Sequence, residues 1–307
     1  MKQKARQITQ INGKIDLENV RTWMKANAYE QSTIRQRIKK LKHLMKSVTD
    51  ITNPETVKLF IADKKCENSY KQNLVEAYDI YLQSEGLEWN RPFYQRYEKK
   101  RKSPKEEHID FLINHARPVL AMKLSISKDL GQRPVELTWL TLKDIDLTTG
   151  LVQIRGAKHT KGREGQLKAK SVDLIKLQID KGQLTQTDHI YNGSSDNLST
   201  DYRHYRNRVA KEYNMPELKQ IQLYDFRRFK ASKIYHLTRD ILYVKEILGH
   251  KDNSLRSTLK YISLFDERNI TWIPVICRNQ VEIAQAIKDD CTLVCQADGI
   301  TYFRKPA

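Results

Sequence analysis

The chain has 307 residues, room for two modest domains, and 39% of them are hydrophobic, enough to fill buried cores. Lys and Arg number 55 against 37 Asp and Glu, a formal net charge of +18 and a pI near 9.6. That balance excludes a disordered tail, and a folded chain with such a surplus suits a polyanion, of which nucleic acid is the commonest. No apolar run approaches the roughly 18 residues that span a bilayer, and the polar Met1-Lys-Gln-Lys-Ala-Arg start is unlike a signal peptide, so the expectation is a cytoplasmic protein without a membrane partner. Four cysteines, Cys66, Cys277, Cys291 and Cys295, do not make a disulfide framework. Cys291 and Cys295 lack a second ligand pair at zinc-site spacing and read as buried small residues, and no metal is expected.

Residues 16–90 read as a four-helix module. From Ser32, read as an N-cap, Ile34, Ile38, Leu41, Met45 and Val48 recur at helical spacing, with Arg35, Arg37, Lys39, Lys42 and Lys46 between them as a basic outer face. Asn53-Pro54 reads as a cap and first helical proline, with Val57, Phe60 and Ile61 on the buried side. A further helix carries Leu74, Ala77, Tyr78, Tyr81 and Leu82 and stops near Gly86. Residues 91–105, RPFYQRYEKKRKSPK, then read as an extended, solvated basic linker, with Lys99, Lys100, Arg101 and Lys102 suited to a phosphate backbone. The plain alternative is a linker whose charges only keep it soluble.

Helices are expected over 106–116 and 118–130, and Gln132-Arg133-Pro134 opens a third. The period-two segments Leu151 to Arg155 and Gln166 to Val172 flank a Gly- and Lys-rich turn and predict a β-hairpin. Helices follow near 199–213, 225–237, 240–248 with Gly249 as a stop, and 255–262. The remainder alternates strand (WIPVIC), helix (VEIAQAIKD), strand (TLVC), turn (ADG) and strand (ITYF). The fold class is therefore mainly α with small β elements: a helical bundle over 1–90, the linker 91–105, a helical domain with a β-hairpin over 106–269, and a β-α-β-β tail over 270–307.

Phosphodiester transfer without a metal needs fixed positive charge on the non-bridging oxygens, an in-line nucleophile and an acid for the leaving oxygen. Along the chain stand Arg133 in LGQRPVEL, Lys158 in the hairpin turn, Arg227 in LYDFRRF, His250 in ILGHKD and Tyr261 in STLKYIS. Each has an ordinary rival role: Tyr261 is one of 15 tyrosines, His250 suits a helix end, and Arg227 beside Arg228 suits a DNA-backbone contact.

This ordered set resembles the tyrosine recombinase, or phage integrase, family. LGQRPVELTWLTLKDID resembles the family's first box, Gly-x-Arg-x-x-Glu-Leu, and YDFRRFKAS followed by ILGHKD resembles its second. Tyr224 and Arg228 stand where that second box usually carries histidines, and Tyr261 follows His250 by 11 positions, a little farther than is commonest. The Tyr-x-x-Arg variant and the tail ending DGITYFRKP are similar to those of integrases from archaeal viruses and plasmids. The resemblance is good over about 106–265 and loose before it.

The resemblance implies that Tyr261 attacks the scissile phosphate to give a 3′-phosphotyrosyl link and a free 5′-hydroxyl. Arg133 and Arg227 would hold the non-bridging oxygens, Lys158 would protonate the 5′-oxygen, and His250 would hydrogen-bond the phosphate. Lys161 competes with Lys158, since both occupy the same turn. A phenol at 224 donates hydrogen bonds well but is a poor base near neutral pH, which favours positioning there. Glu136, one turn after Arg133, can orient an arginine. Neither cofactor nor metal is implied, because the phosphotyrosine keeps the bond energy. The implied partner is duplex DNA with a specific attachment site, bound partly through Arg35, Lys39, Lys42, the linker residues and Arg228, with four protomers on DNA and a monomer when free. The tail after Tyr261 is a candidate subunit contact. Two alternatives stand: a catalytically inactive DNA-binding protein with the same fold, and a type IB-like topoisomerase.

Overall fold

Asp16 begins the first helix, α1 (Leu17–Ala26), by accepting the N–H groups of Glu18 and Asn19, and Val20 and Met24, one turn apart, are its buried pair. In the next helix, α2 (Gln31–Ser47), Ile34, Ile38, Leu41 and Leu44 form the buried stripe. Met45 is only half-buried, because Leu44 lies closer to the centre of that stripe. Ser32 is not the cap; Glu30 holds the position and makes no side-chain cap bond. The expected cap of α3 (Pro54–Asp63) is present: Asn53 accepts from the Glu55 N–H and Pro54 opens the helix. Against these lies α4 (Asn68–Ser84), which buries Leu74, Val75, Ala77, Tyr78, Tyr81 and Leu82. Arg35, Lys39, Lys42 and Lys46 remain on the exposed face of α2, whereas Arg37 turns inward and pairs with Glu76.

The computed structural model describes residues 15–97, 101–157, 160–185, 188–251, 255–263 and 272–306. The chain divides into two units, with the boundary between Lys99 and Lys100. The basic segment expected as a solvated linker is tied down on either side of that boundary. In the first unit Arg91 pairs with Asp79, the Tyr94 N–H donates to Gln72 at 2.9 Å, and Arg96 pairs with Glu76 at 2.7 Å. In the second, Arg101 bonds Gln222 and the Gln220 carbonyl, and the Ser103 N–H donates to Ser263 Oγ at 2.9 Å. Complementary acids and amides on the neighbouring helices thus tether a segment that, over residues 91–97, is extended and largely exposed.

The second unit opens with α5 (Glu106–Asn114) and α6 (Pro118–Leu130). The latter buries residues on several sides, including Met122, Leu124, Ile126 and Leu130, and ends at Gly131 in the left-handed conformation, φ 58°. After the short α7 (Pro134–Trp139) come β1 (Leu151–Ile154) and β2 (Arg163–Gln166), an antiparallel pair in the register Leu151↔Gln166 to Ile154↔Arg163. The second strand lies earlier than expected, because residues 169–172 belong instead to α8 (Ala169–Asp180), a helix the sequence reading missed. Gly165 accounts for the difference: a Cβ there would sit 2.7 Å from Leu130 Cδ2, so glycine lets the hairpin close on α6 without shifting that side chain, and Arg-Glu-Gly-Gln looks like turn rather than strand. The remaining helices are α9 (Ser195–Glu212), α10 (Asp225–Thr238), α11 (Ile241–Ile247) and α12 (Arg256–Leu259). A single large core joins α5, α6, α8, α9, α10 and the hairpin.

The tail is as the alternating pattern predicts: β3 (Trp272–Cys277), α13 (Gln280–Lys288), β4 (Thr292–Ala297) and β5 (Ile300–Pro306), with strand order β3-β5-β4, all antiparallel. Cys277, Ala286 and Phe303 form its small core. Cys291 and Cys295 are not fully buried as expected: Cys291, just before β4, is half-buried against that small core, and Cys295 is exposed because β4 is an edge strand open along its whole length. Among the described residues, no helix is long and apolar enough to cross a membrane. In the N-terminal unit, Leu41→Ala is expected to lower the unfolding free energy by about 3 kcal/mol, read by urea denaturation followed with far-UV circular dichroism.

Candidate active site

Arg133 is the N-cap of α7 and Pro134 its first residue, so Glu136 falls at the third helical position, where a carboxylate can reach back. Its Oε2 accepts the Arg133 backbone N–H at 2.9 Å, and its Oε1 accepts Arg133 Nη1, also at 2.9 Å. A second guanidinium arrives from the hairpin: Arg163 Nη2 donates to Glu136 Oε2 at 2.8 Å, and the Ala157 N–H reaches Oε1 at 3.4 Å. The Glu136 side chain has no exposed surface. Burial alone would raise its pKa, but the hydrogen bond and charge of Arg163, the Arg133 N–H and the Arg227 charge outweigh it and hold the carboxyl down at about 2. At Arg133 burial works against the charge, yet Glu136, Tyr224 and Tyr261 together keep its pKa above the ordinary value.

Arg227 lies in the first turn of α10 and is completely buried. Its Nη1 donates to the Gly131 carbonyl at 3.0 Å and its Nη2 to the Leu248 carbonyl at 2.6 Å. Both carbonyls are helix-end groups with no partner in their own helix, so the two chain reversals at Gly131 and Gly249 seat this arginine. Burial, then the nearby charge of Arg133, lowers its pKa to about 10, which leaves it cationic at neutral pH. Nη2 also lies 3.3 Å from His250 Nε2. A guanidinium only donates, so Nε2 accepts, and the proton of a neutral ring sits on Nδ1, which donates to Thr258 Oγ1 at 2.9 Å. Gly249 takes φ 68° and meets the hairpin turn: the Lys161 N–H donates to its carbonyl at 3.1 Å, and a Cβ at 249 would lie 2.9 Å from the Lys161 carbonyl oxygen.

Tyr261 follows α12. Its N–H bonds the Thr258 carbonyl at 3.0 Å, and its own carbonyl accepts Ser232 Oγ at 3.2 Å, which ties the segment to α10. The phenol oxygen is 2.7 Å from that of Tyr224, and the ring lies 5.2 Å from Arg227 Cζ and 5.8 Å from Arg228 Cζ. The His250 ring is 5.5 Å away. Burial and the Tyr224 phenol push the Tyr261 pKa up, against the pull of Arg227 and Arg133, so the hydroxyl is protonated at neutral pH. Arg133, Tyr224, Arg227, His250 and Tyr261 therefore converge, with Glu136 beneath them.

Lys158 lies outside the described residues. Lys161 is exposed, and its backbone, through Gly249, brings the hairpin turn to the cluster. Among the residues expected on DNA, Arg35, Lys39, Lys42 and Lys102 are exposed, and Lys99 and Lys100 lie outside the described residues. Arg101 is engaged by Gln222 and Asp225 within the second unit. Arg228 is turned inward: its Nε lies 3.1 Å from Asp225 Oδ1 and its Nη1 donates to the Lys260 carbonyl at 3.2 Å, beside Tyr261. Sequence reasoning missed Arg163 and Thr160, whose Oγ1 accepts Arg133 Nη1 at 3.4 Å. The signal was the strand register: opposite the buried Ile154, Arg163 must share its inward face.

A carboxyl held below its unfolded pKa stabilises the fold above that unfolded value, and the contribution fades as pH falls toward the folded one. The drop at Glu136 from 4.5 to about 2 corresponds to about 3 kcal/mol at neutral pH, of which roughly 2 kcal/mol is gone by about pH 3. Wild type is therefore expected to exceed Glu136→Gln in stability near neutrality, with the gap narrowing as the pH of the urea titration is lowered to about 3.

The model of the phage integrase family matches residues 106–268, more than half of the chain. A probable integrase/recombinase protein of Methanocaldococcus jannaschii is 27% identical over 149 residues, a match covering 46% of this chain and 44% of that protein. The match thus spans less than half of that relative's length. The Tn1549 transposon integrase in complex with transposon right-end DNA superposes with a TM-score of 0.60 at 14% identity, covering 82% of this chain and 96% of that one. A lambda integrase dimer bound to a COC′ core site gives 0.59 at 14% identity, over 84% and 78% of the two chains. At such identities the likeness is one of fold, and it agrees with the family match: the chain belongs to the phage integrase family of tyrosine recombinases.

Proposed function

We propose that the chain is an active site-specific recombinase that cuts and rejoins duplex DNA through a covalent link to Tyr261. One observation carries the reading: the Tyr261 phenol lies against Arg227, 5.2 Å from its Cζ, in a cluster where Arg163 pairs with the Glu136 carboxylate and, among the described residues, leaves the charge of Arg133 and Arg227 in excess. Such a cluster brings excess positive charge to a nucleophile, which is what a phosphodiester requires.

In this reading Arg133 and Arg227 bind the non-bridging oxygens, which only a planar guanidinium grips with two parallel bonds. The Tyr261 oxygen attacks phosphorus and gives its proton to water, while the bond to the 5′-oxygen breaks and Lys158, or Lys161 from the same turn, protonates that oxygen. His250 bonds the phosphate in the transition state from a ring that carries a proton on Nε2 in place of the resting Nε2 contact with Arg227, and Tyr224 holds the nucleophile through their 2.7 Å contact. Glu136 orients Arg133, and Arg228 steadies the segment that carries Tyr261. The phosphotyrosine keeps the bond energy for rejoining, so the proposal calls for neither nucleotide nor metal.

The N-terminal helical unit is proposed to clamp the duplex with the exposed Arg35, Lys39 and Lys42 of α2, and Lys99, Lys100, Arg101 and Lys102 to follow the backbone between 91 and 105. Four protomers would join two duplexes at a specific attachment site, with the 270–307 tail as a subunit contact. Integration or excision of a mobile element is the outcome that the archaeal-type Tyr-x-x-Arg box suggests. Lys39→Ala together with Lys42→Ala is expected to weaken DNA binding alike on all sequences and to lower the slope of log affinity against log salt by about 2, read by fluorescence anisotropy.

The deciding experiment uses a nicked suicide duplex that carries the attachment site. Wild type is expected to form a covalent adduct mapping to Tyr261, and Tyr261→Phe none. No adduct from either would leave the inactive DNA-binding reading, and relaxation of supercoiled DNA regardless of sequence would favour the topoisomerase.

A further inference from the structure

Arg163 has no part in the mechanism so far, yet it is nearly buried, with 5% of its side chain exposed. Only one of its nitrogens is used: Nη2 binds Glu136, while Nε and Nη1 are buried with no hydrogen-bond partner among the described residues. Burying a guanidinium on one ion pair is expensive and is poor evidence of a contribution to stability. A position that keeps such a group calls for another explanation.

Its place in the hairpin supplies one. Arg163 is the first residue of β2 and pairs with Ile154, the last of β1, so the two close the foot of the turn 155–162 that carries both candidate lysines. The turn is tight. A Cβ at Gly156 would fall 2.4 Å from the Thr160 carbonyl oxygen and 2.5 Å from that of Lys161. Above the foot, the described residues of the turn touch the cluster through lighter contacts: Ala157 N–H to Glu136 at 3.4 Å, Arg133 to Thr160 at 3.4 Å and Lys161 N–H to Gly249 at 3.1 Å. Arg163 makes the short, charged contact to Glu136, and its Nη1 lies beside Gly249, 3.3 Å from where a Cβ would stand. It is wedged between the residue that orients Arg133 and the glycine that precedes His250.

We propose that Arg163 is a positioning residue that docks the lysine-bearing turn onto the arginine cluster, so that the general acid meets the 5′-oxygen of the phosphate those arginines hold. This rests on the recombinase reading above. The electron pair of the breaking bond goes to the 5′-oxygen, which takes the lysine's proton. A misplaced turn withholds that proton while phosphate binding continues. The defect is therefore specific to the leaving group.

Replacing the bridging 5′-oxygen by sulfur separates this role from a general one. A thiolate departs without being protonated, since thiols ionise near about 8.5, so cleavage of a 5′-phosphorothiolate needs no acid. Adduct formation is compared on nicked duplexes with oxygen or sulfur at the bridge, for wild type, Arg163→Met and Arg163→Lys, alongside DNA affinity by anisotropy. On the oxygen substrate Arg163→Met is expected to be slower than wild type by about 100-fold, and Arg163→Lys by about 10-fold, since it keeps the charge but not the planar geometry. On the sulfur substrate both are expected within about threefold of wild type, with DNA affinity similarly preserved.

Equal slowing on both substrates overturns the proposal, because Arg163 would then act on the phosphate itself, and so does undiminished cleavage of the oxygen substrate. Should Arg163→Met fail to fold, Arg163→Lys carries the same oxygen-against-sulfur comparison. A wild type that forms no adduct on either substrate removes the recombinase reading and this inference with it, whereas a variant defect beside an active wild type tests Arg163 alone.

Discussion

The site depends on one fully buried carboxylate. Glu136 is out of water and remains ionised only because it accepts from Arg133, through backbone and side chain, and from Arg163. Each partner comes from a different place: Arg133 from the start of α7, Arg163 from the foot of the hairpin, and the Ala157 N–H from the turn above it. An unpaired carboxylate at that depth would be intolerable, so the helix start and the hairpin are obliged to stay together. The ion pairs thus constrain geometry as well as adding stability.

Arg227 meets the same difficulty by another route. It is as deeply buried, but among the described residues it pairs with no carboxylate and donates instead to the Gly131 and Leu248 carbonyls, oxygens left over where α6 and α11 end. Neutral carbonyls satisfy the guanidinium without cancelling its charge. Among the described residues the cluster therefore holds more guanidinium than carboxylate charge beside the Tyr261 phenol, which in the proposed reading a phosphate would balance. The glycines follow from the same requirement, since Gly131 and Gly249 reverse the chain with positive φ at the points where those carbonyls must turn inward.

Much of this was legible in the order of residues. Helical spacing located the apolar stripes of α2, α3 and α4; Asn53-Pro54 and Arg133-Pro134 marked helix starts; and the tail's alternation placed its three strands and helix. These are local properties, written in neighbouring side chains and caps. What the order of residues left out has non-local causes. Arg-Glu-Gly-Gln has no apolar alternation because its strand lies against Leu130 through a glycine, and the basic 91–105 segment is held by acids and amides far away in sequence. Cys295 looked like a core residue but lies on an edge strand with no layer over it.

The sequence by itself determined the kinds of element, the excess of positive charge and the chain order of arginine, lysine, arginine, histidine and tyrosine. Only the tertiary structure decided that Arg228 faces Asp225 and the Lys260 carbonyl, that the Tyr224 and Tyr261 phenols touch, and that Arg163 joins Arg133 on one carboxylate. The reason is physical. Secondary structure follows from interactions over a few residues, whereas the partner of a buried charge is whichever group the packed core carries to within 3 Å or so of it, and that depends on every element between them.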